Sequence, residues 1–98
     1  VFWVKPKSME DKIVAKHFVN AGTAVIMTGP VHDAHPSLDL LTLCFLVMEN
    51  GFTVVGKSAC ASPENYDVQK GRDFAYQDAI SQLWALEGYQ LRAKLAGL

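Results

Sequence analysis

The sequence predicts an α+β domain: an antiparallel β-hairpin or small sheet packed by a short N-terminal helix and a long C-terminal helix. Three observations predict it. Leu40 to Met48, LLTLCFLVM, is almost wholly apolar, and FTVVG follows it across Asn50-Gly51. An Asn-Gly pair between two apolar runs is the strongest short-range hairpin signal. From Val68 to Leu95 apolar residues recur at helical spacing over a length no strand reaches. The resulting order of helix, short strand, hairpin and long helix places helices on one face of an antiparallel sheet.

Taken in chain order, KSMEDKIVAKHFVNAG reads as the short helix. Ser8 caps it, and Asp11 three residues on stands in for the Glu of a capping box. Ile13, His17, Phe18 and Ala21 then share one face, and Gly22 is the stop. Ala24 to Met27 reads as a short strand. Gly29, Pro30 and Pro36 make Thr28 to Ser37 a surface loop.

In the hairpin, Asn50 and Gly51 both take φ > 0 as the two turn tips. Glu49 then faces Phe52, Cys44 faces Lys57, and Cys60 lies opposite Leu41, so no disulfide is expected. The first hairpin strand is apolar on both faces. Either helices cover one face and another subunit the other, or the strand is central in the sheet. Beyond it, Ser62-Pro63 starts one helical turn and Asp67 caps the long helix from Val68 to Leu95, with Gly97 as its stop. Val68, Ala75, Ala79, Leu83 and Leu86 form its apolar stripe, widened by Ile80, Trp84 and Leu91 and expected to pack on the hairpin.

Composition bounds the function. The 98 residues make a single domain, 1–98, without internal repeats. The net charge is −1 and the basic residues are scattered, which argues against a nucleic-acid footprint. No apolar run approaches the ~20 residues of a membrane span, and no signal-peptide pattern is present. The chain therefore reads as cytosolic, with reduced thiols. Charged residues are 19%, below the roughly 25% of an average domain, which suits either a surface covered by a partner copy or a rather apolar monomer.

Few residues suggest chemistry. His32, Asp33 and His35 sit on the Pro-flanked loop without a third cluster, so they read as solvated rather than as a metal site. His17 reads as a core-edge histidine, Cys44 as core, and Cys60 as a small buried residue where strand turns into helix. No catalytic constellation is visible, so neither an enzyme nor a cofactor is expected. Arg72, Glu87 and Gln90 project into the apolar arc of the long helix. Because an isolated buried charge is costly, three readings stand open. These are an ion pair between subunits, a polar pocket in which Arg72 holds an anion, or a solvated arc edge. Between Ser58 and Asn65 small residues either let the chain turn or bring Ser62, Asn65 and helix-start N–H groups to a phosphate. The candidate ligand set is thus Ser58, Ser62, Asn65, Arg72 and Glu87.

The blocks NGFTV-G-SAC-SPENYD and W-LEGY-L, with HFVNAG upstream, closely resemble a family of short tailed-phage proteins typed on accessory gene products of enterobacterial podovirus-like phages. The resemblance runs from about Ile13 to Leu95. Lys57 departs from it, since an acidic residue is expected there. It implies a phage or prophage protein made in the host bacterial cytoplasm, and it transfers no catalytic residue. Two functions fit: a homo-oligomeric, non-catalytic binder that sequesters a nucleotide-type immune signal, or an interaction module that binds and inhibits a host enzyme.

Overall fold

The computed structural model describes residues 9–30 and 33–97. Three strands, β1 (Ile13–Asn20), β2 (Leu41–Met48) and β3 (Thr53–Ala59), form an antiparallel sheet in the order β1-β2-β3. A short helix α1 (Ala21–Thr28) links β1 towards β2, and a long helix α2 (Val68–Leu95) closes the chain. Single 3-10 turns lie at Glu10–Lys12, Pro36–Leu40 and Pro63–Asn65. The fold is therefore α+β.

The expected N-terminal helix is a strand. KIVAKHFVN satisfies a helical face, but its β-branched and aromatic residues suit a pleated sheet equally well. What decides is β2, whose two flanks both need backbone partners; β1 fills one and β3 the other, so β2 is central. An irregularity in the β1 register between Ile13 and Ala15 leaves Val14 out of the ladder and 64% exposed. Such an extra residue breaks the period-2 pattern that would otherwise announce a strand. Consequently His17 is an exposed strand residue, not a helix-face one. The proposed cap Ser8 lies outside the described residues.

The segment expected as a strand, Ala24 to Met27, belongs to α1. Its N-cap is Asn20, whose Oδ1 accepts from Thr23 N at 3.1 Å. Gly22 starts this helix rather than stopping one. An added Cβ there would run into the Asp39 carboxylate, so α1 sits directly against the Pro36–Leu40 turn. Pro36 and Ser37, the start of that turn, occupy the end of the Thr28 to Ser37 region expected to be loop, and the turn runs on to Leu40.

The hairpin forms where expected, but with a three-residue loop. Gly51 N donates to Met48 O at 2.9 Å and Met48 N to Phe52 O at 2.8 Å. Only Gly51 has positive φ, at 88°. This is a turn followed by one left-handed glycine, the alternative to the two-residue turn in which both tips are left-handed. The register moves by one residue: Cys44 pairs with Gly56, Leu43 with Lys57, and Leu41 with Ala59 rather than Cys60. Gly51→Ala is expected to lower stability by about 1 kcal/mol, because Ala resists φ > 0. Urea unfolding of the variant checks this.

That register sends Thr42, Cys44, Leu46 and Met48 to the α2 side, where all are buried, while the alternate residues of β2 are only half-buried. Val54 and Gly56 of β3 face the same way. On α2 the buried residues are Ala75, Ala79 and Leu83. Of the expected stripe, Val68 and Leu86 are half-exposed at its ends, and Trp84 and Leu91 lie outside it, 58% and 57% exposed. The cause is geometric. Gly56 and the two alanines let α2 press closely on the sheet, so only a narrow arc is covered. In addition, 28 helical residues span about 42 Å whereas an eight-residue strand spans about 27 Å, so the helix outruns the sheet. The turn at Pro63, the Asp67 cap accepting from Lys70 N at 3.0 Å, and left-handed Gly97 (φ 77°) all stand as the sequence implies.

Candidate functional site

A cleft of about 390 Å³ opens where the end of β1, α1, the Pro36–Leu40 turn and the first turns of α2 meet. Asn20 stands at its centre. Besides capping α1, its Nδ2 donates to Asp39 O at 2.8 Å and approaches the Tyr66 hydroxyl at 3.5 Å. Tyr66 follows the Pro63–Asn65 turn, and its hydroxyl also lies 3.5 Å from Thr42 Oγ1. Both distances are at the long limit for a hydrogen bond, so this hydroxyl retains capacity for a further partner. Thr42 is buried on β2. Gly71 permits its approach to α2, since a Cβ there would fall 2.8 Å from Thr42 Oγ1.

Arg72 brings the positive charge. It sits one residue beyond Gly71, with its guanidinium carbon 5.7 Å from the centre of the Phe18 ring, a cation–π distance. Among the described residues no carboxylate lies within ion-pair distance of it. Thr23 and Asp39 complete the polar lining. The cleft thus offers one permanent cation, several neutral hydrogen-bonding groups and a single carboxylate, a set suited to holding a small anion that also carries donors.

Of the five residues in the candidate ligand set, Arg72 alone lines this cleft. Ser58 is half-buried on β3, in register with Thr42. The Ser62 hydroxyl donates to the Glu64 carboxylate, which holds the Glu64 pKa below its ordinary value. Asn65 is exposed in its 3-10 turn. Glu87 lies about 22 Å further along α2, where it pairs with Lys12 Nζ at 3.3 Å. Both side chains of this pair are about a third exposed, at 34% and 39%. The charge in the apolar arc is therefore matched within its own chain. Gln90 lines a second cleft of about 570 Å³, between the hairpin tip and the free half of α2.

The sequence reading missed Asn20, Thr23, Asp39, Thr42 and Tyr66, which come from β1, α1, the Pro36–Leu40 turn, β2 and the approach to α2. One local signal was present: Asn20 followed three residues on by Thr23 is an N-cap pattern, obscured by reading HFVNAG as the end of a helix.

The other candidates are quiet. His35 Nδ1 accepts from Ser37 N at 3.1 Å, capping the turn, and His32 lies outside the described residues. Among the described residues no three His, Cys, Asp or Glu side chains gather as metal ligands. Cys44 and Cys60 are both free. Burial pushes the Cys44 thiol up, against the opposing charge of Lys16, and Cys60 Sγ donates to Ser62 O at 3.1 Å.

The sequence model of the phage protein (N4 Gp49/phage Sf6 gene 66) family matches residues 4–95. The chain belongs to this family. The match spans the whole sheet, α1 and α2, so every element of the Arg72 cleft lies inside the phage family's own region. No curated protein and no solved structure matches the sequence significantly. No helix among the described residues of this phage protein is long and apolar enough to cross a membrane.

Proposed function

We propose that this phage protein is a non-catalytic binding protein that holds a small phosphate-bearing metabolite of the nucleotide class in the Arg72 cleft. It acts in the host bacterial cytoplasm, where sequestering such a compound silences a nucleotide-type defence signal. The observation that carries this reading is Arg72 itself. Its guanidinium has no carboxylate partner among the described residues and stands over Phe18 at the mouth of a cleft of ligand size. Guanidinium matches phosphate bidentately. Asp39 and Asn20 offer acceptor and donor groups to a sugar or base.

Thermal unfolding with a panel of linear and cyclic nucleotides tests it. A bound nucleotide raises the melting temperature by mass action. Arg72→Ala is expected to weaken binding roughly 10- to 100-fold, the worth of a charged hydrogen bond, while Glu87→Gln leaves it unchanged. Nucleotide binding that survives Arg72→Ala would place the ligand elsewhere.

A second reading, an interaction module that inhibits a host enzyme, is favoured by the aromatic side chains Phe74, Trp84 and Tyr89, which α2 exposes by 58%, 58% and 76%. Aromatic anchors of this kind dominate protein interfaces. This reading predicts capture of one host protein and no nucleotide-dependent shift.

A further inference from the structure

The outer face of α2 carries a seam that the fold of one chain does not use. Phe74, Ser81, Trp84, Gly88, Leu91 and Leu95 follow one another at intervals of seven, three, four, three and four residues. This is the 3.5-residue repeat of a helix that packs along a second helix. Seven residues after Phe74 and onwards, every position of the repeat is apolar or small; Gln77 is the one polar interruption. Four of the chain's exposed large apolar residues, Phe74, Trp84, Leu91 and Leu95, fall on this line, and they point away from the arc of Ala75, Ala79 and Leu83 that faces the sheet.

Gly88 is the second observation. Glycine inside a helix costs about 1 kcal/mol relative to alanine. At Gly56 and Gly71 the neighbouring chain segment leaves no room for a Cβ, but at Gly88 a Cβ would meet nothing within 4 Å. The isolated chain therefore gives no reason for glycine at that position. A partner helix that comes close does.

We propose that the seam is a homodimer interface in which α2 pairs antiparallel with α2 of a second copy, Trp84 seating over the partner's Gly88 and Ser81 over the partner's Leu91. The arrangement is self-complementary, as a two-fold interface requires. At both of these crossings large faces small. Shape chooses the direction: parallel pairing would set Trp84 against Trp84 and Gly88 against Gly88. Antiparallel pairing instead places each Trp84 over a glycine. The area agrees. The chain exposes 7571 Å², about 2,000 Å² more than a compact chain of its mass, and a lasting dimer buries on the order of 1,000 Å² or more from each copy. This inference is independent of the ligand assigned to the Arg72 cleft, which lies on the sheet side of α2.

Sedimentation of the full chain at micromolar concentration, with and without substitutions, tests it. The wild-type chain is expected to be a dimer. Trp84→Glu and Gly88→Leu are each expected to weaken association at least tenfold. Both positions are outside the core, and circular dichroism checks that each monomer stays folded. Should Trp84→Glu fail to fold, Gly88→Leu decides alone, since its side chain enters open space in the monomer. Met27→Glu, exposed on α1, is the control and leaves association unchanged. For direction, Ser81→Cys and Leu91→Cys chains are mixed under oxidation; antiparallel pairing gives a cross-link between the two variants and little within either. A monomeric wild-type chain overturns the proposal, as does a dimer indifferent to both Trp84→Glu and Gly88→Leu. Cross-linking confined to like variants overturns the antiparallel direction.

Discussion

Gly56→Ala is expected to lower the stability of the folded chain by about 3 kcal/mol, the upper range for overpacking a well-packed core. Gly56 lies on β3 opposite Cys44, directly beneath α2. An added Cβ would stand 2.6 Å from Ala79 N and 2.8 Å from Ala79 Cβ, and it would overlap Ala75 O. Two of these three atoms are backbone and cannot rotate away. The helix must lift off the sheet, and lifting it uncovers Cys44 and Leu46, both fully buried. Urea unfolding followed by circular dichroism measures the loss. Adding Ala79→Gly is expected to recover only part of it, because the backbone clash with Ala75 remains. A loss below about 1 kcal/mol would mean that α2 does not pack on Gly56.

Leu46→Ala has the next largest expected effect, a loss of about 3 kcal/mol within the range for deleting a buried leucine side chain. Leu46 is at the centre of β2, flanked by Lys16 and Val54 in the ladder, with no exposed surface. Val55, one residue from Val54 but on the other face of the sheet, is half-exposed. Val55→Ala is therefore expected to cost less than about 1 kcal/mol. The pair reads the hairpin register by chemical denaturation. Had the turn kept its two-residue form, Val55 would have exchanged faces with Val54, because a slip of one residue turns every side chain over. Equal losses at the two positions would contradict the observed register.

The Arg72 cleft and the outer seam divide α2 between them. The helix needs one face for the sheet and is long enough to leave another free. Its short side chains at Ala75 and Ala79 narrow the buried arc, so Trp84 and Leu91, which a sequence-based stripe assigns to the core, remain outside. The polar groups of the cleft come together only because Asn20 ends a strand, Thr42 pairs with it in the neighbouring one and Gly71 brings α2 onto Thr42. None of these residues is adjacent in sequence, and each alone resembles an ordinary cap, strand or helix residue.

The α+β class, the hairpin at Asn50-Gly51, the turn at Pro63 and the full extent of α2, Val68–Leu95, are legible in the residues alone. So is the resemblance to a phage family, which the match over residues 4–95 bears out. These features rest on local rules: glycine at positive φ, proline at a helical first turn, an aspartate cap, and apolar spacing sustained over many turns. That Ile13–Asn20 is a strand and Ala21–Thr28 a helix emerges from packing across the sheet. Local propensity was nearly balanced in both segments, and the unpaired flank of β2 settled the first of them by offering backbone hydrogen bonds. The same held for the charges on α2. Angular position along one helix placed both Arg72 and Glu87 in an apolar arc, but what surrounds each is a matter of where that helix leaves the sheet. Arg72 meets the sheet corner and its cleft, and Glu87 reaches Lys12 near the hairpin end.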